Sequence, residues 1–400
     1  MVLETVSQWT AGDSFLAAAS FVFYLSWQLR GVSSGAFITS LRGHFRVLFL
    51  YEVAEAISLD VLRALPFAKG LDPRQGLATP IPHYLQFESP PVVEPSAPIE
   101  LETGEHIAVR TKYYDYGVVC IELELSFDCD WPALVLQSSR WIGNAELENR
   151  AGELLPLALK RISGALIRPY KARLQEDYFI VHLPEVIEED GTVMAAGDLL
   201  ATRAREIAQL VRGESLALSE AERQEVLQSG ISYSRTDLLV VGWTGALVYG
   251  NTEVAAVTIQ MLEYANTQLL EFRYYDSLLT HLLDGVYRSL ERKSGVFAAW
   301  RLSREAARLN TIRLDVMELT EKVDNAIKFL SDMFYARLYG LASAKVGVPD
   351  YRRLVDQKLR TAGELYRFMV DQFNQTRSFV LELAVVFILI VDLFFLFRGK

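Results

Sequence analysis

From Phe379 to Phe397 the chain is almost wholly Leu, Val, Ile and Phe, broken only by Glu382, Ala384 and Asp392. Built as a helix, at 1.5 Å rise per residue, this run reaches roughly 28 Å, close to the ~30 Å hydrocarbon thickness of a bilayer. The spacing predicts one membrane-spanning helix at the C-terminal end of the chain, flanked by Arg377 on one side and Arg398 and Lys400 on the other. Those cations can reach head groups at both interfaces. The expectation is a single-pass tail anchor with the N-terminal body in the cytosol and the lipid bilayer as first partner. A second apolar stretch, Phe15 to Leu29, has no Lys or Arg before it, so it lacks the basic start of a secretory or organellar leader. It reads as a buried element of the first domain, with a second membrane segment as the alternative.

The other residues read as a folded body. With 22% charged residues among 400, a core of ordinary size is affordable, and the 51% hydrophobic fraction is raised locally by the terminal run. A net charge of -10 excludes a nucleic-acid binder that works through a broad basic surface. The two cysteines, Cys120 and Cys129, are too few for a disulfide scaffold and belong to no zinc-type grouping, which points to a reducing compartment.

The fold class expected is α+β: a mixed α/β N-terminal portion, then a long coiled-coil-like helical hairpin, then the membrane helix. Pro90, Pro91, Pro95 and Pro98 lie close together, which suggests an extended linker over 89–100 between an N-terminal mixed domain (1–88) and an α+β domain (101–250). In the first domain Phe45 to Tyr51 reads as strand and Val53 to Leu65 as helix. In the second, Ile107 to Tyr114 and Val118 to Phe127 read as paired strands around Asp115-Tyr116-Gly117, with Glu122 and Glu124 alternating outward. Helix follows over Trp131 to Ile167, strand over Tyr178 to Leu183, helix over Gly197 to Arg212 and a hairpin over Leu238 to Tyr249 around Trp243.

From Thr252 onward (251–376) the pattern is helical. One apolar seam runs through Leu309, Ile312, Val316, Leu319, Val323, Ala326, Leu330 and Met333. A second includes Val355, Leu359, Ala362, Tyr366, Met369 and Phe373 and leads into the terminal segment, 377–400. Spacing of three and four keeps each seam facing a partner helix. That partner is either the same chain or a second copy, and Gly340 and Gly347-Val348-Pro349 offer turns between the seams.

No phosphate loop, zinc-protease, nucleophile-elbow or dinucleotide pattern occurs in the sequence. The five histidines (His44, His83, His106, His182 and His281) are scattered, and Glu185, Glu188, Glu189 and Asp190 read as a solvated acidic loop. Neither a cofactor nor a metal site is expected, and the chain reads as a non-enzyme. The residues singled out are Glu382 and Asp392, whose carboxyls inside a bilayer cost ~2.5 kcal/mol or more unless paired and so suggest helix association. Beside them stand the basic residues Arg352, Arg353, Lys358, Arg360, Arg367 and Arg377, suited either to an anionic membrane surface or to pairing along their own helix.

Gln357-Lys358-Leu359, Glu364-Leu365, Leu381-Glu382 and Asp392, with Leu269-Leu270-Glu271 and the hairpin near Trp243 upstream, follow one another over roughly the last 160 residues. In order and spacing, with a single hydrophobic span as in those proteins, they resemble the required-for-meiotic-nuclear-division family (sporulation-type, domain of unknown function 155). This chain departs from that family in having Leu383 where its members carry Trp. The resemblance implies a membrane-anchored, self-associating protein related to mitochondrial members that support organellar translation. The combined expectation is a tail-anchored, homo-oligomeric scaffold that tethers a partner-binding α+β domain to a bacterial inner membrane, or to a mitochondrial inner membrane. The partner is a protein of unknown identity, not a nucleic acid. The alternative is an oligomeric channel or transporter with a plan like that of the CorA magnesium transporters.

Overall fold

The computed structural model describes residues 40–66, 90–171, 173–188, 190–291, 304, 307–314, 316–317 and 333–399. The stretch Phe15 to Leu29, His83, Glu189 and the second half of the first seam (Leu319, Val323, Ala326 and Leu330) lie outside them.

An eight-stranded sheet organises the chain. Its strands are β1 (Leu41–Glu52), β3 (Val92–Glu100), β4 (His106–Tyr113), β5 (Val118–Cys129), β7 (Gln175–Leu183), β8 (Gly230–Ile231), β9 (Leu238–Val241) and β10 (Gly245–Tyr249), in the order β3-β4-β5-β1-β7-β10-β9-β8. Every pairing is antiparallel except β7 with β10. Two short strands, β2 (Ala54–Ile57) and β6 (Leu166–Pro169), pair separately.

Helices cover both faces. On one lie α1 (Leu59–Arg63), α2 (Trp131–Trp141), α3 (Ala145–Arg161), α4 (Ala196–Arg212) and α5 (Glu220–Leu227), packed through Leu62, Leu134, Leu155 and Ile207 against Phe45, Val47, Ile121 and Leu123. On the other lie α6 (Thr252–Glu291), α7 (Met333–Val346) and α8 (Val348–Arg398), packed through Leu262, Phe272, Leu338 and Val355 against Leu48, Leu50, Cys120 and Ile180. Cover on both sides explains why β1 runs apolar without alternation from Val47 to Tyr51.

The expected α+β class, with a sheet first and helices last, is found. Both predicted hairpins form: β4 pairs β5 around Gly117, whose φ of 93° and close approach to the Ala54 carbonyl exclude a side chain, and β9 pairs β10.

Other expectations are corrected. The proline-rich segment is the edge strand β3, not a linker: its missing N–H groups fall at the sheet edge, with a bulge between Ser96 and Ile99. Nor does 89–100 divide domains, because β1 sits in mid-sheet between β5 and β7. Residues Val53 to Leu65, read as one helix, form β2 and the short α1, since β2 finds a partner in β6. The long helix expected from Trp131 breaks at Gly143 (φ 68°), after which Asn144 caps α3 by accepting the N–H groups of Glu146 and Leu147. Gly340 lies inside α7, and the turn falls at Gly347, φ 94°.

The second seam packs within the chain. Val355, Ala362 and Met369 are buried in the core that includes α6, with Leu359 half-buried beside them, while Tyr366 is exposed and the Phe373 side chain lies outside the described residues. From the first seam, Leu309, Ile312 and Val316 join the same core, whereas Met333 is exposed. Among the described residues no helix is long and apolar enough to cross a membrane. The continuously described end of α8, 381–398, carries three ionisable groups, Glu382, Asp392 and Arg398.

Candidate functional site

Strand alternation brings charged side chains together on the face that α6 covers. In β5, Cys120, Glu122 and Glu124 point toward α6 while Ile121, Leu123 and Leu125 point to the opposite layer. The neighbouring strands set Arg46 of β1 opposite Glu124, and Arg110 of β4 opposite Glu122. Of the outward glutamates of the sequence reading, Glu122 is buried, 1% exposed, because a helix more than a hundred residues later in the chain lies over it, and Glu124 is half-buried.

Three cations and three carboxylates interlock there. Arg46 lies 3.0 Å from Glu124 and 3.5 Å from Glu122. Arg110 lies 2.8 Å from Glu122 and also pairs with Glu124. Lys112 lies 2.7 Å from Glu122 and bridges to Glu263 of α6, which accepts a 3.1 Å hydrogen bond from the Tyr114 hydroxyl. Burial alone would raise the Glu122 carboxyl, but Lys112, Arg110 and Arg46 outweigh it and bring the pKa down to about 2. Burial opposes the charge on Lys112 as well, and Glu122 and Glu263 hold its pKa above the usual lysine value.

His182 of β7 stands beside the network, its ring 6.2 Å from that of His44 across the β1–β7 pair. Burial, reinforced by Arg46 and His44, lowers its pKa to about 4. The ring is accordingly neutral at pH 7, with Nε2 donating to the Gly250 carbonyl at 3.0 Å. Nδ1 is then a bare acceptor. Its own partner is missing among the described residues, as are partners for Arg46 Nε and Gln260 Oε1. All three residues line one cleft between the sheet and the first turns of α6, with an inner volume of about 70 Å³.

A second buried acidic contact lies further along β1. Glu52 and Glu271 share a hydrogen bond, and burial followed by the neighbouring Glu271 carboxyl keeps the Glu52 pKa well above the ordinary range. The hydrogen bond between the two carboxyls requires one of them to hold a proton.

The residues singled out in the sequence take other places. Lys358 pairs with Asp276 of α6 at 2.6 Å and donates to the Thr280 hydroxyl, and Arg353 pairs with Asp350. Arg352 is half-buried, Arg360 and Arg367 are exposed, and the Arg377 side chain lies outside the described residues. Glu382 and Asp392 are exposed on the last part of α8. Sequence reasoning missed the cleft, whose lining comes from six separated segments. The available signal was Arg110-x-Lys112 facing Glu122-x-Glu124 at strand spacing, which invites cross-strand charge pairs. Among the described residues, no group of three or more His, Cys, Asp and Glu is placed to hold a metal ion.

Comparison with known proteins overturns the resemblance to the required-for-meiotic-nuclear-division family. The family match falls on residues 42–255, the sheet and its first helical layer, outside most of the C-terminal stretch on which that resemblance rested. The leucines of those short motifs, such as half-buried Leu359 and Leu365, are helix-packing residues of a kind any helix of this register would carry. The chain is 22% identical over 187 residues to the uncharacterized protein MJ0711 of Methanocaldococcus jannaschii, a match that covers 47% of this chain and 57% of that protein. It thus spans little more than half the length of this curated relative. No solved structure matches the chain. With more than half of its length matched to the family described as the N-terminal domain of uncharacterized protein MJ0711, the chain belongs to that family.

Proposed function

We propose that this protein is a non-enzymatic scaffold, tethered to a lipid bilayer by the apolar end of α8 and holding its two-faced sheet domain at the membrane surface. The observation that carries the reading is the exposure of 381–397. Leu381, Ile388 and Phe397 are 57%, 58% and 75% exposed, and exposed Leu, Val, Ile and Phe continue between them on every side of the helix. Contiguous apolar surface beyond a few hundred Å² marks a membrane or protein contact. A helix that is apolar all round, and not one-sided, matches lipid better than a groove. At 1.5 Å per residue the run measures about 25 Å, and Phe379 and Val380 in the sequence extend it toward a full hydrocarbon thickness. Exposed Arg360 and Arg367 lie on the approach to it, where anionic head groups would attract them.

Association of copies is part of the proposal and is assigned to the terminal segment. The seam through Val355, Ala362 and Met369 is already occupied within the chain. Exposed Glu382 and Asp392 are the polar groups that a second helix in lipid would satisfy. The test is flotation of the full chain and of a chain ending at Gln375 on vesicles of phosphatidylcholine and phosphatidylglycerol. The full chain is expected at the top of the gradient and the shortened one at the bottom. Both chains at the bottom, with the full chain soluble and monodisperse, would end the tether reading.

A further inference from the structure

We infer that the cleft between the sheet and the first turns of α6 is a binding site for a small, net-neutral heterocycle with adjacent hydrogen-bond donors and acceptors, of the class of the nucleobases. Three observations converge on it. The first is the set of unmatched polar atoms. His182 and Gln260 are 1% and 4% exposed, yet His182 Nδ1 and the Gln260 side-chain carbonyl have no partner among the described residues, and neither has Arg46 Nε. Buried polar groups are nearly always satisfied, so a cleft lined by three that are not is shaped for something that satisfies them. Because His182 Nε2 donates to the Gly250 carbonyl, its Nδ1 can only accept. Arg46 Nε–H can only donate, and the Gln260 amide does both. The complement of that set is a ring edge carrying both an N–H and a carbonyl or ring nitrogen.

The second observation is charge. Arg46, Arg110 and Lys112 are matched by Glu122, Glu124 and Glu263, with ion-pair contacts among all six. A charged ligand would have to displace one of these partners and leave it unpaired in a buried site, at a cost its own contact would hardly offset. A neutral ligand leaves the network intact. The third is shape. Ala255, Ala256 and Ile259 on α6 and Pro90, Pro91 and Val93 at the sheet edge supply apolar, low-relief walls to the same cleft. Small or flat groups of this kind accommodate a planar ring, and mostly apolar walls with a few convergent polar groups are the usual make-up of small-molecule sites.

The experiment is saturation-transfer NMR on the full chain in detergent micelles, with adenine, hypoxanthine, cytosine and uracil as probes and acetate and phosphate beside them. At least one base is expected to bind with Kd at or below ~1 mM, and neither anion is. Ala256→Trp, which fills the mouth from a half-buried helix position, should abolish the signal. Gln260→Leu should weaken it about tenfold, as loss of one buried hydrogen bond implies. Thermal unfolding of A256W should stay at the wild-type midpoint, so that its result stands even if Gln260→Leu is unstable. If no base binds, so that the cleft holds water only, the inference is overturned. It is equally overturned if acetate or phosphate binds in place of the bases, or if a base still binds A256W as well as the unaltered protein.

Discussion

Replacing Glu122 by Gln keeps the shape of the side chain and removes the charge on which Arg46, Arg110 and Lys112 converge. Two routes give the size of the effect. Removing one partner of a buried ion pair costs about 3–5 kcal/mol, because the remaining charges are left buried and under-compensated. Independently, the carboxyl titrates at about 2 in the folded chain against an ordinary value of 4.5. A gap of that size, at 1.36 kcal/mol per unit, corresponds to about 3 kcal/mol at pH 7. The sign follows from the lowered pKa. The contribution is fully present above the unfolded value and is lost as pH falls from about 4.5 toward 2, so that less than half of it remains at pH 3. Urea unfolding of the full chain in mild detergent, followed by far-UV circular dichroism, reads this directly. The E122Q midpoint should fall well below wild type at pH 7, and the gap should shrink by more than half at pH 3. An unchanged midpoint at pH 7, or a gap that widens on acidification, would refute the view of Glu122 as the compensated centre of the network.

Glu52 behaves in the opposite sense. Its raised pKa means that the folded state keeps a proton the unfolded state gives up, so stability is full below about 4.5 and falls as pH rises toward the folded value. Glu52→Gln should then be more stable than wild type at pH 8 and equal to it near pH 4, read by the same urea titrations. Gly117→Ala places a Cβ 1.9 Å from the Ala54 carbonyl at φ 93°, and should cost at least ~2 kcal/mol from left-handed strain and displacement of β2, checked by thermal unfolding. Ala362→Asp buries a carboxylate in the α6–α8 contact, and should lower the unfolding midpoint by ~2 kcal/mol or more while light scattering shows an unchanged mass. Lys358→Ala, removing a partly exposed pair with Asp276, should cost no more than about 1 kcal/mol in the same unfolding assay.

The parts of the fold legible in the sequence are those encoded locally. The β4–β5 hairpin is visible because alternation on both sides of Asp115-Tyr116-Gly117 sets its register, and the turn needs a residue tolerant of positive φ. The β9–β10 pair is visible for another reason, the two short apolar runs that flank Trp243-Thr244-Gly245. What failed depended on distant partners. Pro95 and Pro98 exclude a central strand, yet nothing near them reveals that β4 offers an edge to pair with. The alternation of Glu122 and Glu124 sorts the two faces correctly but cannot say that α6 covers the polar one. Val53 to Leu65 has helical spacing, and the pairing of β2 with β6 overrides it. Three-four spacing through Val355 and Ala362 marks a packed seam without distinguishing the same chain from another. The cleft was the least legible element, since His182, Arg46, Lys112 and Gln260 share no motif and meet only through the sheet order.

The tether is tested most directly by depth in the bilayer. Cys129→Ser leaves buried Cys120 as the native thiol, and Leu389→Cys, at an exposed site midway along the apolar run, takes an environment-sensitive fluorophore. In vesicles, quenching by lipids carrying nitroxides at graded positions along the acyl chain should be strongest from the deepest label, with blue-shifted emission. The same fluorophore at exposed Arg360, through Arg360→Cys, should be quenched only from the head-group level or not at all. Solvent-like emission at position 389, with no quenching from any depth, would contradict the assignment of this helix to lipid.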